Sequence, residues 1–268
     1  MQKMTSHERF KRMFAHQEAD RVPVIDSTWG ATIQRWRKEG LPPKTSYIDY
    51  FDLDLAMHIT VDNSPRYEEK VIEETEEYIV RTSSWGVTMK NWKHAASTPE
   101  FLAYTIVDRD SWQKAKARMR PEKDRVPWAK LKKYYKQWHE EGYWIEGGGW
   151  FGFDITHAWA VGTERVLLAL ADDPEWCRDM FSHELDVNLA LLGLMWDAGY
   201  TFDSIRWPDD MGYKFNQFFS LQTYRDLLKP IQKRMVDWAH ARGVKAHLHS
   251  CGDIRPFVPE LVEIGIDA

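Results

Sequence analysis

The chain has 268 residues, 43% of them hydrophobic and 29% charged, with a formal net charge of −5. That length suits a single large domain over residues 1–268. The charge gives no basic stripe for nucleic acid, and no apolar run approaches the ~18–20 residues of a membrane span.

In chain order, Thr5 or Ser6 caps a first helix with Phe10, Met13 and Phe14 on one face. Val22-Pro23-Val24-Ile25 is a short strand candidate with proline near its start. A helix at Ala31 to Lys38 stops at Gly40, and Leu53 to Val61 is a second strand. The Glu-rich, alternating section 67–92 predicts a β-hairpin excursion. Helices follow near Ser111–Met119 and Trp128–Glu140, then a strand Tyr143 to Glu146 that opens into Gly147-Gly-Gly-Trp-Phe-Gly152. Two helical stretches come next, Thr163 to Ala171 and Pro174 to Ala198, the second with Phe181, Leu185, Leu189 and Leu192 in step. A strand Thr201 to Trp207 ends in Pro208-Asp-Asp-Met-Gly212. A long helix Leu221 to Ala241 precedes the strand Val244 to His249. After a helix Phe257 to Ile264, the residues Ile266-Asp-Ala268 start another strand pattern.

Strands alternating with helices predict a parallel sheet. A (β/α)8 barrel and a doubly wound sheet both gather chemistry at the C-terminal strand ends, which is where the polar clusters fall. Too few strands are present for eight, so the expectation is a barrel incomplete at its C-terminus.

Two cysteines, Cys177 and Cys251, are too few for a disulfide framework, and Met1 to Thr5 lacks the apolar core of a signal peptide. The expectation is a cytoplasmic chain with reduced thiols. Fourteen tryptophans read as core bulk, with an aromatic cavity for a flat ligand as a second reading. Gly147-x-Gly149-x-x-Gly152 matches a dinucleotide fingerprint. However, Asp172 and Asp173 cap the helix at Pro174 rather than end a second strand, so these glycines read as close backbone approach. Asp209 and Asp210 are adjacent carboxylates at a strand end, suited to cation binding or acid/base work for at least one of them, the other capping a turn. His249 and Cys251, two apart, share a strand face with His247. Imidazole plus thiolate is half of a zinc site. Spacing alone favours the plainer reading of a strand-end histidine and a small buried cysteine. Cys177 lies in an amphipathic helix and reads as structural.

Four stretches resemble the uroporphyrinogen decarboxylase superfamily. They are Arg9-Phe10 to Val24, Gly147 to Phe151 with Gly162-Thr-Glu164, Asp209 to Gly212, and Leu228-Lys-Pro230 through Gly243 to Asp253 and on to Asp267. The resemblance implies a (β/α)8 barrel. It implies one of two activities: metal-free decarboxylation of a tetrapyrrole, or zinc-dependent methyl transfer between a corrinoid protein and a thiol. The decarboxylase signature Arg-Gln-Ala-Gly-Arg-Tyr is replaced here by Asp26 to Arg37, and Asp62 stands out of register for the decarboxylase aspartate. His249-Ser250-Cys251 fits the first part of the methyltransferase zinc site, whose second cysteine would lie past Ala268. The resemblance therefore implies His249 and Cys251 as metal ligands and a methylcobalamin-type corrinoid as donor. Asp209 or Asp210 would be catalytic, with His247, Gly149 and Trp150 at the substrate. A tetrapyrrole carboxy-lyase is the alternative enzyme, and an inactive fragment or non-catalytic binding protein the third reading.

Overall fold

The computed structural model describes residues 3–268. Eight strands are formed: β1 (Ala56–Thr60), β2 (Val71–Glu74), β3 (Tyr78–Thr82), β4 (Val87–Trp92), β5 (Glu100–Tyr104), β6 (Trp144–Gly148), β7 (Ser204–Pro208) and β8 (Lys245–His249). They make two sheets. β1-β6-β7-β8 is parallel throughout, and β2-β3-β4-β5 is antiparallel.

The parallel sheet has two unlike faces, because side chains alternate along each strand. Ile59, Ile145, Ile205, Trp207 and Ala246 point to one face and are fully buried. Helices Trp128–Glu140, Pro174–Asp197 and Lys229–His240 supply the rest of that core through residues such as Leu131, Phe181, Leu185, Leu192 and Met235. The other face carries His58, Glu146, Ser204, Arg206, His247 and His249, aligned by register: His58 with Glu146, Glu146 with Ser204, Arg206 with His247.

The N-terminal helix Ser6–Phe14 starts with a capping box between Thr5 and Glu8. It packs across the start of β6, stacking Phe10 and Phe14 on Trp144 at 5.3 and 5.5 Å. Its buried Arg9 bonds Asp20 at 2.7 and 2.8 Å and Asp54 at 2.8 Å, fixing the helix to the residues that lead into β1.

The structure differs from expectation at four points. The expectation is a (β/α)8 barrel incomplete at its C-terminus; among the described residues the parallel strands form an open four-stranded sheet, and no closed barrel is seen. The strand expected at Val22–Ile25 does not form. Pro23 has no N–H, and Val24 N–H bonds the Asp54 side chain at 2.8 Å instead of a main-chain carbonyl. One ladder-like contact remains, Asp54 N–H to Val24 C=O at 2.7 Å. The hairpin at 67–92 is part of a larger unit, a four-stranded sheet reaching Tyr104, because β4 pairs on its far side with β5 through a bulge at Thr88/Met89. The long helix expected from Leu221 to Ala241 is also interrupted. A π-turn at Tyr224–Leu228 takes up the strain before Pro230, which cannot donate a main-chain hydrogen bond. Ile266–Ala268 begins to run beside β8, with Asp267 N–H on Ala246 C=O at 2.9 Å and Leu248 N–H on Ala268 C=O at 3.0 Å. Among the described residues, no helix is long and apolar enough to cross a membrane.

Candidate functional site

The exits of β7 and β8 are stitched together. Asp209 N–H donates to His249 C=O at 2.8 Å, Met211 N–H to Ser250 Oγ at 3.0 Å, and Cys251 N–H to Asp210 Oδ1 at 2.7 Å. Gly252 has φ +79°, and a side chain there would run into the main chain of Gly212. These contacts bring three side chains together. Cys251 Sγ lies 3.4 Å from His249 Nε2, which lies 3.6 Å from Asp210 Oδ1. One ligand atom from each of Asp210, His249 and Cys251 falls within 4.8 Å of the others. His249 and Cys251 are exposed and Asp210 is half-buried, so the cluster opens outward. The plain expectation of a buried Cys251 is not met, whereas Cys177 is buried. Partial burial and the Asp210 carboxylate push the Cys251 thiol up to about 11, so it is protonated near neutral pH unless a cation sits beside it.

The two neighbouring aspartates part company. Asp209 is fully buried, accepting from Asp154 N–H and from Gln232 Nε2, each at 2.9 Å. Gln232 is in turn held by the Tyr224 hydroxyl at 2.8 Å. Burial pushes the Asp209 carboxyl up to about 7. Asp209 anchors the loop, and Asp210 faces the opening.

Gly149 and Trp150 line the exit of β6. A Cβ on Gly149 would overlap Asn188 Oδ1, so the backbone approaches the helix Pro174–Asp197 as the sequence suggested. Trp150 C=O accepts from Asn63 at 2.6 Å and Asn188 at 3.1 Å, and its indole N–H bonds Asp154 Oδ2 at 2.8 Å. Burial pushes Asp154 up to about 6, partly offset by that indole bond, and the charge of Asp210 adds to the rise. His157, 3.9 Å from Asp154, is brought down to about 4 by burial and bonds Thr163 Oγ1 at 3.0 Å. Asp154 and His157 carry no motif and were not foreseen.

Beneath the cluster lies a group that sequence reasoning passed over. Glu146 is buried on β6 and faces His58 Nδ1 at 3.1 Å, His247 Nδ1 at 3.6 Å and Ser204 Oγ at 3.1 Å. Burial alone would raise its carboxyl, but the imidazoles of His247 and His58, the second hydrogen-bonded at 3.1 Å, outweigh this and hold it well below the usual range. The signal was present: an acid inside the apolar run Trp144-Ile145, where an unpaired charge is not tolerated. His247 shares the face of His249, as expected, but serves Glu146. Asp62 bonds Ser64 Oγ at 2.7 Å and Arg66 at 2.6 Å, so its carboxylate is occupied locally.

A comparison with protein-family profiles finds no match, and no curated protein matches the sequence. Among solved structures, a methyltransferase from Methanosarcina mazei is similar, with a TM-score of 0.57 and 14% sequence identity. The similarity covers 99% of this chain and 75% of that chain, and at this identity it speaks for the shared mixed α/β fold.

Proposed function

We propose that this chain is a methyltransferase that moves a methyl group between a corrinoid of the methylcobalamin type and a thiol acceptor, with zinc held by Asp210, His249 and Cys251. The observation that carries the reading is the convergence of these three donors at the C-terminal ends of parallel strands. A thiol, an imidazole and a carboxylate are the ligand types of zinc, and three protein ligands leave the open position of a catalytic site. The strand-end location is also that of a (β/α)8 barrel mouth, in keeping with the uroporphyrinogen decarboxylase resemblance. The fold shared with a methyltransferase supports the reaction class.

Zinc at this position would lower the pKa of an acceptor thiol and hold it as the nucleophilic thiolate. The residues of the chain do the rest. Asp210 fixes the turn that presents Cys251. Asp154, whose charge is felt at Cys251 and which titrates near about 6, is suited to take up the proton the acceptor releases. Trp150 holds Asp154 through its indole N–H.

The test is methyl transfer itself. Zinc-loaded protein is given methylcobalamin and a simple alkanethiol, and loss of methylcobalamin is followed by its visible spectrum. The expected result is thiol-dependent demethylation that falls to the uncatalysed rate in Cys251→Ala. Demethylation that is equal in the parent and in Cys251→Ala would contradict the proposal.

A further inference from the structure

Arg206 sits mid-strand on the polar face of the parallel sheet, half-buried, and its guanidinium makes no hydrogen bond or ion pair among the described residues. The contrast with the buried arginines is sharp. Arg9 is fully engaged by Asp20 and Asp54, and Arg125 by the carbonyls of Asp62, Ser64 and Arg118. A guanidinium carries five N–H donors, and partial burial without acceptors is costly. None of the Arg206 nitrogens is among the sealed, unpartnered atoms, so they remain reachable. They are reached from a cavity of about 440 Å³ lined by Ala56, His58, Glu146 and Arg206 of the sheet and by Asp26, Tyr47 and Ile48 outside it.

The neighbours shape this cavity for a ligand. Gly148 pairs with Arg206 and lets the two strands approach closely: a Cβ there would come 2.7 Å from the Arg206 carbonyl oxygen and 3.4 Å from His58 Nε2. His58, which lines the cavity, turns Nδ1 to Glu146, which leaves its Nε2 free to face a bound group. From these contacts we infer that Arg206 is the anchor of a second binding site, one that takes the carboxylate of a small organic acid. The flat fork of the guanidinium matches a carboxylate through two parallel hydrogen bonds. The ionised Glu146 next door disfavours a doubly charged phosphate. His249 is two residues beyond His247, the partner of Arg206, so the strand-end cluster lies roughly 7 Å further along the same face. The anion site itself stands whether or not Asp210, His249 and Cys251 hold a metal.

The test uses metal-free protein and propionate as the probe, with binding followed by calorimetry. Propionate is expected to bind saturably, the neutral isostere propionamide not at all, and Arg206→Gln is expected to weaken propionate by at least about tenfold. Arg206→Lys, which keeps the charge without the fork, should fall between. A measurement on the unaltered chain guards against a folding artefact: propionate should slow phenylglyoxal modification of Arg206, read by peptide mass spectrometry. No propionate binding, equal affinity in Arg206→Gln, or no protection of Arg206 would overturn the assignment.

Discussion

Oδ1 of Asp210 accepts the main-chain N–H of Cys251 at 2.7 Å and lies 3.6 Å from Nε2 of His249. One carboxylate therefore fixes the turn that presents the thiol and stands beside both other donors. Asp210→Asn retains an acceptor for the Cys251 N–H but loses the charge. Zinc affinity, measured by chelator competition, is expected to drop by at least about tenfold, in the range seen when groups around a metal ligand are lost. Thermal stability of the metal-free chain should be unchanged. Equal affinity in the two chains would remove Asp210 from the donor set.

Gly149 is expected to be intolerant of any side chain. A Cβ would overlap Asn188 Oδ1, and Asn188 also holds Trp150 C=O and Glu184 C=O. Gly149→Ala should cost about 1–3 kcal/mol by urea denaturation, as overpacking of a filled interior does. Adding Asn188→Ala to that variant should restore part of the loss, whereas simple additivity of the two costs would show that the residues do not clash.

Glu184 gives a pH-dependent prediction. It is fully buried, accepts Gly152 N–H at 3.1 Å, and burial raises its carboxyl well above the usual value. The unfolded chain ionises this group first, near about 4.3. Its contribution to stability is therefore whole below that pH and is lost as pH rises toward the folded value. Glu184→Gln is isosteric and does not ionise. The stability of this variant relative to the parent should climb as denaturation is repeated from pH 4 to pH 8. A flat difference would mean that Glu184 is ionised in the fold.

Arg9 works in the opposite direction. It bridges Asp20 and Asp54: the Arg9 contact holds the Asp20 carboxyl below the usual range, and at Asp54 burial pushes up but the Val24 N–H, Arg9 and the other donors together outweigh it and hold that carboxyl low as well. Their stabilisation is present above the unfolded aspartate value of about 3.9 and is lost as pH falls below it. Arg9→Gln leaves Asp54 short of a buried partner and should cost about 3 kcal/mol at pH 7. The penalty should shrink in acid, and a penalty independent of pH would show that it comes from packing alone.

The sequence made the parallel strands β6, β7 and β8 legible because each is an apolar run ended by a polar turn. Strand parity does not place the pair His249 and Cys251, because β8 ends at His249 and Cys251 lies in the turn held by Asp210. Parity could not separate Asp209 from Asp210. That choice depends on Gln232, brought in from a helix more than twenty residues away, and on the space left by Gly152. Val22–Ile25 had strand-like composition, but Asp54 captured Val24 N–H. The antiparallel sheet was read short because β5, Glu100–Tyr104, has no period-two pattern of its own and is recruited by β4. Glu146 was visible as an acid within an apolar strand, but its partners His58 and His247 lie 88 and 101 residues away, and only the sheet register unites them.

The central claim is that Asp210, His249 and Cys251 form a zinc site, and metal content tests it most directly. Protein purified, dialysed against zinc and freed of excess metal should carry one zinc per chain by elemental analysis. Cys251→Ala and His249→Ala, each shown to be folded, should carry almost none. Zinc-free parent protein under these conditions, or zinc retained in full by Cys251→Ala, would contradict the account.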